Sequence, residues 1–134
     1  MSRENVEIVR SMYRPGDPSA FFELLHDGVQ IDMSSLPLLP DHPELIGGKQ
    51  AALDLYRDFW GTWDEYVLEP VEIIDAGEDR VVVVQDERGR GKGSGAPFER
   101  RRWAVIYTVR EAKIVRVEHF PDRDQAVEAA GLQE

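Results

Sequence analysis

The stretch Trp103-Ala-Val-Ile-Tyr-Thr-Val-Arg110, followed after Glu111-Ala112 by Lys113-Ile-Val-Arg-Val-Glu-His-Phe120, decides how this chain folds. Both arms are rich in β-branched and aromatic residues, and a connection this short between such arms implies antiparallel pairing. Carried outward from Arg110 opposite Lys113, a regular ladder sets Thr108 opposite Val115, Ile106 opposite Val117 and Ala104 opposite His119. Side chains alternate between faces, so Val115, Val117 and His119 share one side. The other side takes Arg116, Glu118 and Phe120, with Trp103, Val105 and Tyr107 across from them. A histidine ending an apolar stripe is a candidate acid/base at the mouth of a pocket, because imidazole changes protonation near neutral pH.

At 134 residues, 42% apolar and 31% charged, the chain has the length and make-up of one soluble globular domain over residues 1–134. It contains no cysteine, which removes disulfides, a thiolate nucleophile and thiolate metal sites. The opening Met1-Ser-Arg-Glu-Asn-Val-Glu-Ile-Val9 carries charge through its apolar positions, unlike a signal peptide, and a cytoplasmic location is expected. No window approaches the roughly 20 apolar residues of a membrane span. A net charge of −10 disfavours nucleic acid as a partner. Six of the 16 basic residues do fall within 88–102, around Arg88-Gly-Arg-Gly-Lys-Gly-Ser-Gly95 and Arg100-Arg-Arg102. That run reads as a solvated hairpin tip whose glycines serve the turn.

Working outward, Val6, Val9 and Tyr13 predict an amphipathic helix over 4–13, stopped by Pro15-Gly16-Asp17-Pro18. Ser19 is expected to cap a short second helix through Leu25, with Glu23 as its capping-box partner. Gly28 then turns the chain into a strand over 29–33. Residues 34–48, with Pro37, Pro40, Pro43 and Gly47-Gly48, read as a long loop, either a lid or merely mobile. A helix over 49–60 aligns Leu53, Tyr56 and Trp60, with Trp63 beyond. Strands follow over 71–75, limited by Pro70, over 80–88 and in the hairpin. A terminal helix over 123–130 closes at Gly131. Helices followed by four successive strands imply an α+β fold: a cone-shaped, curved, mostly antiparallel sheet packed on three N-terminal helices, with a short C-terminal helix. The hollow of such a cone suits a small molecule.

Several segments occur in a familiar order: Glu4-Asn-Val-Glu-Ile-Val-Arg-Ser-Met-Tyr13, Gly16-Asp17, Phe21-Phe-Glu-Leu-Leu25, Val29-Gln-Ile-Asp32 and Ile46-Gly-Gly-Lys-Gln-Ala-Ala52. Ile74-Asp-Ala-Gly77 with its valine strand, and Lys113 through Pro121-Asp122, complete the set. In this order they resemble the nuclear transport factor 2-like superfamily, and within it the polyketide-cyclase-like (SnoaL-like) proteins. The resemblance implies a cone-shaped α+β barrel, usually dimeric through the outer face of its sheet. It spans cyclases, a ketosteroid isomerase, an epoxide hydrolase, dehydratases and members without known activity, so fold does not give function. By this resemblance His119 takes the position where cyclases and the epoxide hydrolase place an acid/base aspartate. The isomerase's base would fall near Met33 and its oxyanion tyrosine near Val9. Neither can do that work, and steroid isomerase activity is not expected.

His119 can therefore serve as general base, general acid or ligand contact. Arg102 shares its face if the hairpin stays regular, and could hold a carboxylate or polarise a carbonyl. The plain alternative is an exposed Arg102 paired with Glu87. Gln85 flanks it on the neighbouring strand. Asp32, ending the first strand, points into the cone or caps the following turn. Tyr13, Tyr56, Trp60 and Trp63 form either an aromatic wall for a flat ligand or ordinary core. An apolar outer face of Trp103, Val105, Tyr107 and Phe120 would be covered by a second copy of the chain. His26, His42 and His119 lack paired metal-site spacing and no glycine-rich loop opens a helix, so neither metal nor other cofactor is expected. Two functions follow: a cofactor-independent isomerase, cyclase, dehydratase or hydrolase acting on a small, largely apolar substrate, or a non-catalytic dimeric ligand-binding module.

Overall fold

The computed structural model describes residues 2–13, 18–37 and 43–132. Helices α1 (Ser2–Met12) and α2 (Ser19–Leu24) lead into strands β1 (Leu25–Asp32) and β2 (Leu45–Gly47), then helix α3 (Lys49–Gly61). Four strands follow, β3 (Trp63–Gly77), β4 (Arg80–Gly91), β5 (Pro97–Arg110) and β6 (Lys113–Phe120), before the closing helix α4 (Arg123–Ala129). They form one curved, unclosed sheet in the order β2-β1-β6-β5-β4-β3. All neighbours are antiparallel except β1 and β6, which run parallel. The expected α+β cone is the observed architecture.

The helices form where apolar residues recur at helical spacing. Ala52, Leu55, Tyr56 and Phe59 give α3 one buried side, and Val9 and Met12 do the same for α1. With Phe21 of α2 they pack on the concave face of the sheet, against Val81, Val83, Val105 and Val117. Helix α4 covers the convex face instead. Asp122 caps it, accepting a hydrogen bond from the Gln125 N–H at 2.9 Å. No described helix is long and apolar enough to cross a membrane.

Several boundaries differ from the sequence expectation. Strand β3 is far longer than 71–75 and contains Pro70. It can do so because β3 is an edge strand, and its pairing skips Val71 just beyond the proline. The proline loop contains a short strand, β2, paired with β1. Helix α2 begins at Ser19 with Pro18 at the capping position, so the expected serine cap is not the one used. Gly28 lies inside β1, where the pairing with β6 is irregular, and is not a turn ahead of the strand. Pro15-Gly16-Asp17, Pro40 and His42 lie outside the described residues.

The hairpin turn is as expected: Glu111 (φ 50°) and Ala112 (φ 63°) are both left-handed, as a two-residue type I′ turn requires. The register beyond it is not. Val109 pairs with Ile114 and Thr108 with Arg116, leaving Val115 as the extra residue of a β-bulge. Every later partner shifts by one, giving Tyr107 opposite Val117, Val105 opposite His119 and Ala104 opposite Phe120. A one-residue slip exchanges faces. Trp103, Val105 and Tyr107 therefore lie on the concave side, in the core shared with α1, α2 and α3. Phe120 packs on the convex side with Val82, Val84, Ala104 and Ile106, beneath Ala126 and Ala130. The apolar outer face expected to receive a second copy is thus not exposed: three of its four residues line the cone and α4 covers the fourth.

Candidate functional site

His119 ends the β6 stripe on the concave face and is only 2% exposed. Its Nε2 lies 3.1 Å from the Tyr56 hydroxyl of α3, and its ring stands edge-on to Trp103. Nδ1 is buried without a hydrogen-bond partner. Burial, reinforced by the Arg100 charge, lowers the imidazole pKa from 6.5 to about 3, against opposing contributions from Asp32 and the Leu36 main chain. The ring is therefore neutral at pH 7, with one donor and one acceptor nitrogen. If Tyr56 donates to Nε2, Nδ1 carries the proton; if Nε2 donates to Tyr56, Nδ1 offers a lone pair. Either way Nδ1 makes no hydrogen bond of ordinary distance and angle, the Leu36 main chain included.

A second polar group lies on the same face toward the far ends of β4 and β5. The pairing slips there as well: Gln85 faces Trp103 and Glu87 faces Arg100, so Asp86 alone stands against Arg101 and Arg102. Arg102 consequently adopts a left-handed φ of 55° and its N–H donates to Asp86 Oδ1 at 2.7 Å. Its side chain is 61% exposed and its guanidinium also turns to Asp86, at 3.9 Å. Neither the shared face with His119 nor the Glu87–Arg102 pair forms. Arg100 takes that place, its Nε 3.3 Å from Glu87 Oε1, with the Glu87 side chain 0% exposed. The Tyr66 hydroxyl donates to Glu87 Oε2. Burial raises the Glu87 pKa, opposed by the Tyr66 hydrogen bond and the Arg100 charge. The Arg100 guanidinium lies 5.2 Å from the Trp103 ring centre and 5.6 Å from that of Phe98. Phe98 stacks on Trp63 at 4.2 Å. Gly89, paired with Phe98, makes this possible, since a Cβ there would meet Trp63 Cβ at 3.3 Å.

Between these groups, the Tyr13 hydroxyl donates to Gln85 Oε1 at 2.6 Å and lies 2.9 Å from the Tyr107 hydroxyl. Burial pushes the Tyr13 phenol well up, and raises Tyr107 to about 12. Gln85 is thus on the concave face, held by Tyr13 and not beside Arg102. Tyr56 and Trp60 belong to an aromatic cluster with Phe21 and Phe22, with Phe21 edge-on to Tyr56 at 4.9 Å. The four expected wall residues therefore all reach the concave core.

Asp32 does not point into the cone. It shares the convex side with Gln30, Arg116 and Glu118, since Ile31 between them is core and pairs with Val117. Arg116 donates to Asp32 Oδ2 at 3.1 Å and to Gln30 at 2.9 Å. Ser34 donates to Asp32 Oδ1 from its N–H at 2.9 Å and its hydroxyl at 2.7 Å, the turn-capping role. Burial alone would raise the Asp32 pKa, but the Ser34 hydrogen bonds, with Arg116 and His119, hold it below 3.8. His26 Nδ1 accepts from the Gly28 N–H at 2.9 Å. Among the described residues no group of three or more His, Asp or Glu is placed to hold a metal ion.

Sequence reasoning missed Arg100, Glu87 and Tyr66 as one group and put Trp103 and Tyr107 on the wrong face. Glu87 carried a signal: it stands two residues after Gln85 and so shares its side. Arg100 carried none, being one of three consecutive arginines whose sides depend on the slip at Asp86.

A curved sheet of this order, folded over three helices with a mixed aromatic and polar concave face, defines an α+β cone protein. The chain belongs to the SnoaL-like domain family, whose family model matches residues 7–117. Among solved structures it is similar to an NTF2-like protein from Burkholderia thailandensis E264 (22% identity, 96% of this chain and 98% of that one, TM-score 0.71). It is also similar to TerC co-crystallised with polyporic acid (18% identity, 96% of each chain, TM-score 0.65). A protein with a ketosteroid isomerase-like fold from Catenulispora acidiphila, in complex with trimethylamine, matches at 15% identity over 97% of this chain and 94% of that one, TM-score 0.65. At these identities the likeness shows the fold. No curated protein sequence matches the chain.

Proposed function

We propose that this SnoaL-like chain binds a small, largely apolar or aromatic molecule on the concave face of its sheet, with His119 as the central polar contact. The observation that carries this is the buried, neutral imidazole whose Nε2 is fixed by Tyr56 while Nδ1 has no partner. A buried polar atom without a partner costs free energy, and pockets that hold small molecules are apolar walls with a few such convergent groups. Polyporic acid with TerC, and trimethylamine with the Catenulispora protein, are consistent with a cone that accepts small molecules. Native mass spectrometry of protein purified gently from its source tests the reading. The expected result is a retained small molecule that His119→Gln loses. Equal retention by parent and variant would overturn His119's role, and a ligand-free spectrum with no hit in a broad ligand screen would overturn the binding reading.

The Tyr56–His119 hydrogen bond favours one further step. An oriented neutral imidazole has the protonation state of a general base for isomerisation, cyclisation, dehydration or hydrolysis, although a pKa lowered to about 3 makes it a weak one. Asp32 and Arg102 do not assist, being engaged by Arg116 with Ser34 and by Asp86 respectively. In this reading His119→Gln abolishes turnover of any ligand the parent converts; unchanged turnover would remove His119 from the chemistry, and a ligand bound but never converted by the parent would make the chain a binding module.

A further inference from the structure

Buried polar atoms without a hydrogen-bond partner are concentrated in one part of the described structure: Trp63 Nε1, Trp103 Nε1, Arg100 Nη1 and Glu87 Oε1. Native interiors rarely leave several such atoms together without a reason. Glu87 Oε1 already faces Arg100 Nε at 3.3 Å, so its charge is answered. The other three are N–H donors. Such a surplus calls for acceptor oxygens from a partner, and Arg100, its charge already matched by Glu87, keeps in Nη1 a guanidinium donor that a carboxylate oxygen can take.

The surroundings define the rest. Arg100 lies against the faces of Trp103 and Phe98, and Phe98 is stacked on Trp63 with the ring planes 13° apart, so the walls are flat. The Arg100 side chain is 23% exposed in all, with its Nη1 on the buried side, and Glu87 behind it is sealed. Glu87 is itself anchored by Tyr66. An ion pair buried in this way adds little net stability, yet it fixes the direction of a guanidinium well.

We infer that this cluster recognises a planar aromatic carboxylate, with Arg100 as the contact to the carboxylate and Glu87 as the residue that positions Arg100. This rests on the concave face being a small-molecule site and adds the chemical class of its ligand. Arginine suits the task because its fork matches a carboxylate and its plane stacks on aromatic rings.

Equilibrium dialysis at pH 7 with 2-naphthoate and uncharged 2-acetylnaphthalene as probes tests the inference. The parent is expected to bind naphthoate at least tenfold more tightly, although the neutral probe is the more hydrophobic. Arg100→Gln should remove that preference and Arg100→Lys should keep a reduced one. Because Arg100→Gln strands a buried carboxylate, the double variant Glu87→Gln with Arg100→Gln is measured beside it, with circular dichroism to confirm folding. It too should bind the two probes alike. Saturable binding of both probes without preference, or a preference that survives in the folded double variant, overturns the carboxylate inference and leaves the small-molecule reading standing. Failure of both probes to bind the parent overturns the inference together with that reading for aromatic ligands.

Discussion

Removing the titratable group at position 119 should change how stability depends on pH. The imidazole pKa falls from 6.5 in the unfolded chain to about 3 in the folded one, chiefly through burial. Between those values the unfolded state holds a proton that the folded state refuses, so stability drops as pH falls below 6.5 and the loss is complete near 3. Each pH unit below 6.5 costs about 1.4 kcal/mol, so the penalty grows by about 2 kcal/mol from pH 7 to pH 5. Glu87, with a raised pKa, acts in the opposite sense as pH falls. Asp32, with a lowered one, loses its contribution only at more acid pH. Comparing the parent with His119→Gln cancels both. The glutamine amide can reach Tyr56 but carries no proton equilibrium. Urea unfolding of both proteins at pH 7 and pH 5, followed by tryptophan fluorescence, gives the difference directly. The parent should lose about 2 kcal/mol more than the variant between the two pH values. An equal loss in both, or an imidazole resonance of His119 titrating near pH 6.5 in NMR, would refute the buried neutral assignment.

Three further perturbations test the geometry. Tyr56→Phe removes the partner of His119 Nε2 and should cost about 1–3 kcal/mol in urea unfolding; an unchanged midpoint would mean the hydrogen bond is not made. Asp122→Ala deletes the α4 cap and should cost about 1 kcal/mol, visible as a lower melting temperature, with Asp122→Asn largely preserving it. Arg102→Gly relieves a left-handed backbone at an exposed residue. Differential scanning calorimetry should find it neutral to slightly stabilised, and probe or ligand affinity should not change. A marked loss of affinity would return Arg102 to the site.

The order of elements, the two-residue hairpin and the antiparallel run of strands were legible in the sequence because each depends on local pattern: helical spacing in 49–60, β-branched runs in 80–84 and 103–109, Pro121 before the last helix. What failed depended on register. Val115 and Asp86 look like ordinary strand residues, and nothing in their chemistry announces that the ladder skips there. Both decide by position alone on which face of the sheet Trp103, Tyr107, Arg100 and Arg102 lie. The resemblance to the SnoaL-like family identified the fold. It could not reveal that His119 would be buried against Tyr56, or that Asp32 would be held by Arg116 and Ser34 on the other side of the sheet. Those outcomes depend on contacts between residues 60 to 90 positions apart in the chain, such as Tyr56 with His119 and Asp32 with Arg116.

The parallel pairing of β1 with β6 also governs when the molecule can assemble. Leu25 meets Ile114 and Asp32 meets Glu118, so the N-terminal third of the chain finds its sheet partner only after almost everything else exists. The meander from β3 to β6 is built from neighbours joined by short turns and can form early; closing the loop that brings β1 home carries the larger entropic cost. During synthesis the apolar faces of α1, α2 and α3, which precede β3 to β6 in the chain, therefore wait uncovered until the sheet exists, an interval in which aggregation or chaperone capture competes with docking. Pulsed hydrogen exchange during refolding is expected to protect β4 and β5 amides before those of β1, and simultaneous protection of all three would contradict this order.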